Sequence, residues 1–446
     1  MTPRFRKTAD FISDPQVPAA ARQAMTLLLL DTIGVAAGAT GLEPARLARE
    51  HAAAFHGAAD PRHQARMMFD GRAVSVPGAA FAAATQIDNL DGHDGYNPAK
   101  GHIGCAVIPA LFAFAENHPD LSMRAALDLL VMSYEVSARA AIALHRTVSD
   151  YHTSGAWNAL GVAAIGCRLR GATREQLREA LGIAEYHGPR SQMMREIATP
   201  TMLHDGSGMG ALTGAMAALL AVDGFQGAPA ITVENPDVAD IWDDLGHDWT
   251  VCKNYIKPYP VCRWAHAPLD ALSCLMRENA LACDDIRAVQ VNTFDQSAAL
   301  YAGVPDTTGK AQYSLPFPLA IMMRHGHVGP AHISGAGLTD TSVADLLPRI
   351  TVTALPEYTA RFPAQRCADV TVILQDGTTL TSGFTEARGG PEAPLSTEEI
   401  GAKFHAFAAP VIGAERASQI WALREPMTQD APIRFSDLTA LVTDPP

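Results

Sequence analysis

The residues best suited to chemistry are concentrated in one segment, Asp88-Asn-Leu-Asp-Gly-His-Asp-Gly-Tyr-Asn-Pro-Ala-Lys-Gly-His102. Three aspartates, two histidines and a lysine fall there within fifteen residues, between two apolar stretches. Asp88 and Asp91 stand three apart and share a face if the preceding helix extends that far. Residues 101–104 open the next apolar stretch at Cys105. The free N–H groups of a helix start, with Lys100 beside them, would make a cradle for a carboxylate. His102 would point into the same space, with His93 close by in sequence. Aspartates with histidine also suit a divalent ion, but no ordered spacing such as His-x-x-x-His accompanies them, so no metal is expected.

Four further segments carry polar residues that a rigid scaffold would aim. Asp150-Tyr-His-Thr-Ser-Gly155 precedes an apolar helix, and His152 there is either a helix-entry hydrogen-bond partner or a site residue. Thr199-Pro-Thr-Met-Leu-His-Asp-Gly-Ser-Gly-Met-Gly210 is glycine-rich, but it follows no strand and lacks Gly-Lys-Ser/Thr, so close helix packing explains its glycines better than a phosphate loop. Asn254-Tyr-Ile-Lys-Pro-Tyr-Pro-Val-Cys-Arg-Trp-Ala-His266 packs cationic, aromatic and rigid residues at an expected domain junction, where ligand sites are common. Lys257, fixed before a proline, reads as an aimed charge. Ala311-Gln-Tyr-Ser-Leu-Pro-Phe317 places the Tyr313 phenol at a helix start. No Gly-x-Ser-x-Gly, dinucleotide fingerprint or nucleotide-binding loop occurs. What Asp, His, Lys and Tyr offer is proton transfer, with cations steadying a carbanion or enolate next to a carboxylate.

These segments must be held by helices. Residues 19–37, 77–88, 105–116, 122–145, 157–169, 174–186 and 211–223 are rich in Ala, Leu and Met, and several are apolar on most faces, as inner helices of a large bundle are. Thr173-Arg-Glu-Gln176 is a capping box. No strand alternates with these helices, which argues against a doubly wound sheet or an α/β barrel. After about residue 260 the pattern changes. Residues 286–293, 350–354, 369–374 and 378–384 alternate as strands, with Asp376-Gly377 as a hairpin turn. Helices are expected at 267–279, 315–325 and 343–347, and Ser396-Thr-Glu-Glu399 caps another. The expected fold is mainly α: a large all-helical domain from both chain ends (1–259 and 393–446) and a smaller α+β lid domain (260–392).

The chain has 446 residues, 48% of them apolar and 18% charged, enough for a sizeable core. Its 34 basic and 47 acidic side chains leave a net charge of −13, which argues against a nucleic-acid binder but not against a local cationic pocket. Only six residues are lysine. Seven cysteines without a Cys-x-x-Cys suggest neither a disulfide framework nor a zinc site. The first residues lack the apolar stretch of a secretory signal and no run reaches about 20 apolar residues, so a cytoplasmic protein with no membrane partner is expected.

Taken together and in order, Asp31-Thr-Ile-Gly-Val-Ala-Ala-Gly, the 88–104 loop, Tyr134-Glu-Val-Ser-Ala-Arg139, His152-Thr-Ser-Gly155, the 202–210 stretch, Lys257-Pro-Tyr-Pro, Arg263-Trp-Ala-His266 and Ala311-Gln-Tyr-Ser-Leu-Pro-Phe317 resemble the MmgE/PrpD family over nearly the whole chain. Members include 2-methylcitrate dehydratase, cis-aconitate decarboxylase and iminodisuccinate epimerase. The resemblance implies a cofactor-free homodimer acting on a small polycarboxylate. It puts Asp88 at the family's active-site aspartate, His102 and His152 at its two histidines, Lys257 at its junction lysine and Tyr313 at its lid tyrosine. Asp91, His93, Lys100, Thr201, His204, Arg263 and His266 would line the substrate. Two positions depart from the decarboxylase-like pattern. Leu90 replaces the middle acid of Asp-x-Asp-Asp-Thr, with Gly92 or His93 where threonine would stand, and Thr201 and His204 occupy a segment where members commonly have lysine. The expectation therefore leans to epimerisation, with Lys257 and His102 or His152 on opposite faces of one carbon, and a lyase reaction of the dehydratase or decarboxylase type as the alternative. A non-catalytic anion-binding homologue is a second alternative.

Overall fold

Apolar residues on nearly every side leave several of the helices between Ala19 and Val222 no face for solvent. In the computed structural model, which describes Met1–Pro446, they are buried accordingly. The helices Ala19–Gly38, Val76–Asp88, Gly104–Ala115, Met123–Thr147, Gly155–Leu169, Arg174–His187 and Ser207–Val222 match the expected segments to within a few residues at each end. Every residue of Gly104–Ala115 is buried. The Thr173 capping box is formed, Thr173 accepting from the Gln176 N–H at 3.2 Å and Gln176 accepting from the Thr173 N–H at 2.9 Å.

The chain divides into two compact units. The larger comprises Met1–Met193, His204–Ile256 and Ser396–Pro446. It contains the helices above together with Thr397–Ile412, which packs on Ala19–Gly38. Gly34 and Gly38 allow that contact, because an added Cβ would lie 3.2 Å from Phe404 Cα and 3.2 Å from Phe407 Cβ respectively. Two glycines of the 199–210 segment serve close packing as expected, Gly208 lying against Thr85 and Gly210 against Gly155, whereas Gly206 serves a left-handed turn (φ 67°). The unit is not all-helical: Gln64–Arg66 and Ala73–Ser75 form a two-stranded antiparallel ribbon. Helices Pro3–Ser13 and Glu43–Phe55 add to the expected set. No single helix is long and apolar enough to cross a membrane.

The smaller unit comprises Met194–Leu203 and Lys257–Leu395. Its five-stranded sheet is centred on Ile286–Thr293, which pairs in parallel with Ile350–Ala354 and antiparallel with Cys367–Leu374. The strand expected at 378–384 is shorter, Thr379–Thr381, because the chain turns at Gly383 (φ 66°) before Thr385–Glu386 pairs with Cys367–Leu374. Asp376-Gly377 forms the hairpin, with Gly377 at φ 91°. Helices His266–Glu278 and Pro316–His325 are present, whereas the helix expected at 343–347 is split into Thr341–Ala344 and a short turn at Leu347–Arg349.

Candidate active site

The 88–102 loop lies in the larger unit and is pinned from both chain ends. Lys403, on the Thr397–Ile412 helix, donates to the Gly92 carbonyl (2.6 Å) and to both Asp31 oxygens (2.7 and 2.9 Å). Gly92 stands between Asp91 and His93, so this buried cation fixes the backbone that carries them. Gly95 and Tyr255 exchange two backbone hydrogen bonds, 3.1 and 2.8 Å, which hold the far side of the loop. Asp91, Lys100 and His204 all have left-handed backbone (φ 53°, 56° and 47°). Few non-glycine residues adopt that conformation, and such strain clusters where function demands it.

Asp91, His93 and His102 are buried and bring one carboxylate oxygen and two ring nitrogens within 4.8 Å of one another. The rings of His93 and His102 meet edge to face at 4.5 Å. Asp88 groups instead with His93 and Cys105. Its Oδ2 accepts the Ser207 N–H at 3.0 Å, at the start of the Ser207–Val222 helix. His102 Nδ1 lies 2.6 Å from the Asp94 carbonyl oxygen, and its Nε2 faces Asp205 Oδ2 at 3.6 Å. Cys105 donates its thiol to Ser207 Oγ at 3.2 Å.

Four carboxyls in one buried region would repel a polycarboxylate if all were ionised. Burial, then the Asp205 charge, pushes the Asp88 carboxyl well above the usual range. Burial and then the Asp31 charge raise Asp94 to about 7. The cluster thereby sheds negative charge near neutrality. Because Asp94 binds its proton more tightly folded than unfolded, its burial carries no charge penalty at low pH and destabilises the fold progressively as pH rises from about 4 to about 7. Asp94→Asn is therefore expected to gain stability over wild type by a few kcal/mol more at pH 8 than at pH 4. Urea unfolding at the two pH values checks this, and an equal difference at both would contradict it.

The expected carboxylate cradle at the helix start is already filled, since the Gly104 N–H faces the Asp94 carboxyl. Lys100 belongs to a second polar group, with Tyr151 and His145. Its ammonium is 5.8 Å from the Tyr151 ring centre, and Tyr151 donates its hydroxyl to the Lys100 carbonyl. His152 joins that group through its backbone N–H, which donates to His145 Nε2 at 3.2 Å. Burial and then the Lys100 charge lower His145 to about 4, so it is neutral at pH 7. His204 is buried next to Asp205.

The smaller unit holds the other expected residues. Lys257 and Tyr313 are buried there. Arg263 donates to the carbonyls of Ala387 (2.9 Å) and Arg388, and a His266 ring nitrogen lies 3.0 Å from the Val261 carbonyl. These bonds fix the turn on which both side chains sit. Thr201 is exposed and bonds to Glu196 through its N–H (2.7 Å) and hydroxyl (3.2 Å), closing a short turn.

Asp205, Ser154, Ser207 and His145 were not among the expected site residues. Asp205 lay in the segment whose glycines packing already explained. Ser154 stands at a helix entry whose evident polar candidate in sequence is His152.

The chain matches the MmgE/PrpD N-terminal domain over residues 6–241 and the MmgE/PrpD C-terminal domain over residues 259–428, and it belongs to that family. Among its relatives, it is 27% identical over 366 residues to the cis-aconitate decarboxylase of Homo sapiens, a span covering 75% of this chain and 73% of that one. It is 25% identical over 366 residues to the cis-aconitate decarboxylase of Mus musculus (75% and 72% covered). To that of Aspergillus terreus it is 22% identical over 393 residues (78% and 76% covered). These relatives favour the lyase alternative over the lean to epimerisation.

Proposed function

We propose that this protein is a lyase of a small polycarboxylic acid, in which a carbanion develops beside a retained carboxylate and His102 is the acid, protonating that carbanion after loss of carbon dioxide or the hydroxyl that departs in dehydration. The observation that carries the reading is the buried grouping of Asp91, His93 and His102 with His102 Nδ1 committed to a backbone carbonyl. That commitment leaves Nε2 as the ring's one nitrogen for proton transfer. The names of the relatives support lyase chemistry within the family.

In decarboxylation of a β,γ-unsaturated acid, the carbon–carbon bond to one carboxylate breaks and carbon dioxide leaves. The electron pair spreads through the double bond toward a second carboxylate, and the Nε2 proton goes to the far carbon. In dehydration a base first removes the α-proton, and the acid protonates the departing hydroxyl so that water leaves. Both paths need a proton held ready in a water-poor site, where fixed dipoles act strongly. Asp91, beside His93 and His102, takes the aspartate role more directly than Asp88. Lys257 and Tyr313 keep the roles that the family resemblance gives them.

Incubation with cis-aconitate, 2-methylcitrate and iminodisuccinate in deuterated water, followed by proton NMR, tests this. The expected result is loss of carbon dioxide or water from one acid, with one solvent deuteron on the decarboxylated product. Label uptake with inversion and no bond cleavage would establish the epimerase instead. Saturable binding without exchange would establish a non-catalytic homologue.

A further inference from the structure

Asp205 has no part in the chemistry described so far, yet it closes a circuit around His102. A carbonyl oxygen can only accept, so His102 Nδ1, 2.6 Å from the Asp94 carbonyl, carries a proton. The other ring nitrogen faces Asp205 Oδ2 at 3.6 Å. A neutral ring would present a bare lone pair to that carboxylate, two acceptors facing each other, so the arrangement calls for a proton between them. The separation exceeds a hydrogen bond, so the Nε2 proton feels the carboxylate's charge without being held by it and stays available for transfer.

The other Asp205 oxygen is tied down. Oδ1 accepts from the Ser154 N–H (3.1 Å) and from the Ser154 hydroxyl (2.7 Å), and Ser154 Oγ in turn accepts the His102 backbone N–H at 2.9 Å. The Asp205 carbonyl accepts the Gly155 N–H at 2.9 Å. His102, Ser154 and Asp205 are 8%, 1% and 4% exposed, so no water competes freely for these bonds. Left-handed backbone at His204 and Gly206 (φ 47° and 67°) brackets Asp205. His93, Asp91 and Tyr255 also lie near the ring, the Tyr255 ring centre 6.4 Å away.

We propose that Asp205 is the positioning residue of His102: directly through Oδ2, and through Ser154 by Oδ1, it fixes the ring so that Nε2–H is the single proton presented for transfer. The inference rests on the reading of His102 as the acid of a lyase. Asp205 touches no reacting atom and acts through the imidazole alone.

The test reads the ring directly. Full-length protein carrying 15N-labelled histidine is compared as wild type, Asp205→Asn, Asp205→Glu and Ser154→Ala at pH 7, and the His102 signals are recognised by their loss in His102→Gln. Wild type and Asp205→Glu are expected to show both ring nitrogens protonated, and Asp205→Asn one protonated and one bare nitrogen. Ser154→Ala should keep both protons but exchange the Nε2 proton faster, and it carries the test if Asp205→Asn does not fold. In turnover, Asp205→Asn is expected to lower kcat on the order of 10²-fold with little change in KM, and Asp205→Glu to recover part of it. A His102 spectrum identical in wild type, Asp205→Asn and Ser154→Ala, or a bare Nε2 in wild type, overturns the proposal. The nitrogen signals need no substrate, so they judge Asp205 even if the lyase reading fails. The expected shift in a protein that turns over none of the acids would overturn that reading alone.

Discussion

Exchanging His102 for glutamine is expected to lower kcat for the lyase reaction by on the order of 10²–10⁴-fold, the usual contribution of a positioned proton donor. KM should change little, because the ring is assigned to the developing carbanion and not to ground-state binding. Glutamine retains an N–H able to reach the Asp94 carbonyl, so the loop keeps one of its anchors and the fold survives. Steady-state kinetics on whichever acid is turned over, with thermal unfolding as control, measures the effect. A variant within threefold of wild-type kcat would remove His102 from the proton-transfer step.

Replacing Lys403 with methionine is expected to cost about 3–5 kcal/mol of stability, the penalty for leaving a buried charge without its partner. Lys403 donates to both oxygens of the Asp31 carboxylate and to the Gly92 carbonyl, and all of these contacts are buried. Burial already pushes the Asp31 carboxyl up despite the neighbouring ammonium. The double variant Asp31→Asn, Lys403→Met should therefore recover much of the loss, since no unpaired charge remains. Activity should stay low in both, because the Gly92 carbonyl has lost the donor that holds Asp91 and His93 in place. Chemical denaturation measures the stability difference, and a loss under about 1 kcal/mol would mean the pair is screened or replaced by water.

Much of the larger unit was legible because helices buried on all sides write themselves as long apolar runs, and because caps such as Thr173–Gln176 and Ser396–Glu399 are local in sequence. The helix Glu43–Phe55 leaves no such mark, because its apolar positions are mostly alanines on one face. The ribbon Gln64–Arg66 with Ala73–Ser75 is only three residues a side, too short for alternation to show. The parallel pairing of Ile286–Thr293 with Ile350–Ala354 joins strands some sixty residues apart, which no local pattern encodes. Nor does the sequence mark Met194–Leu203 as part of the smaller unit.

At the site, the 88–102 loop stood out because its chemistry is dense along the chain. Asp205 and Ser154 are ordinary helix-entry residues until folding places one against the other and both against His102. Three-residue spacing places Asp88 near Asp91, and the Asp91 charge does help raise the Asp88 carboxyl, but the spacing does not show that Asp91 groups with His93 and His102 while Asp88 groups with His93 and Cys105 and accepts from Ser207.

The most direct test is where a non-reactive tricarboxylate, tricarballylate, binds in a crystal of the protein. The expected density places its carbon chain within reach of His102 Nε2 and beside Asp91 and His93. A ligand held elsewhere, with His102 still closed onto Asp205 and beyond hydrogen-bond reach of any ligand atom, would contradict the assignment of this cluster as the place where the carbanion is quenched.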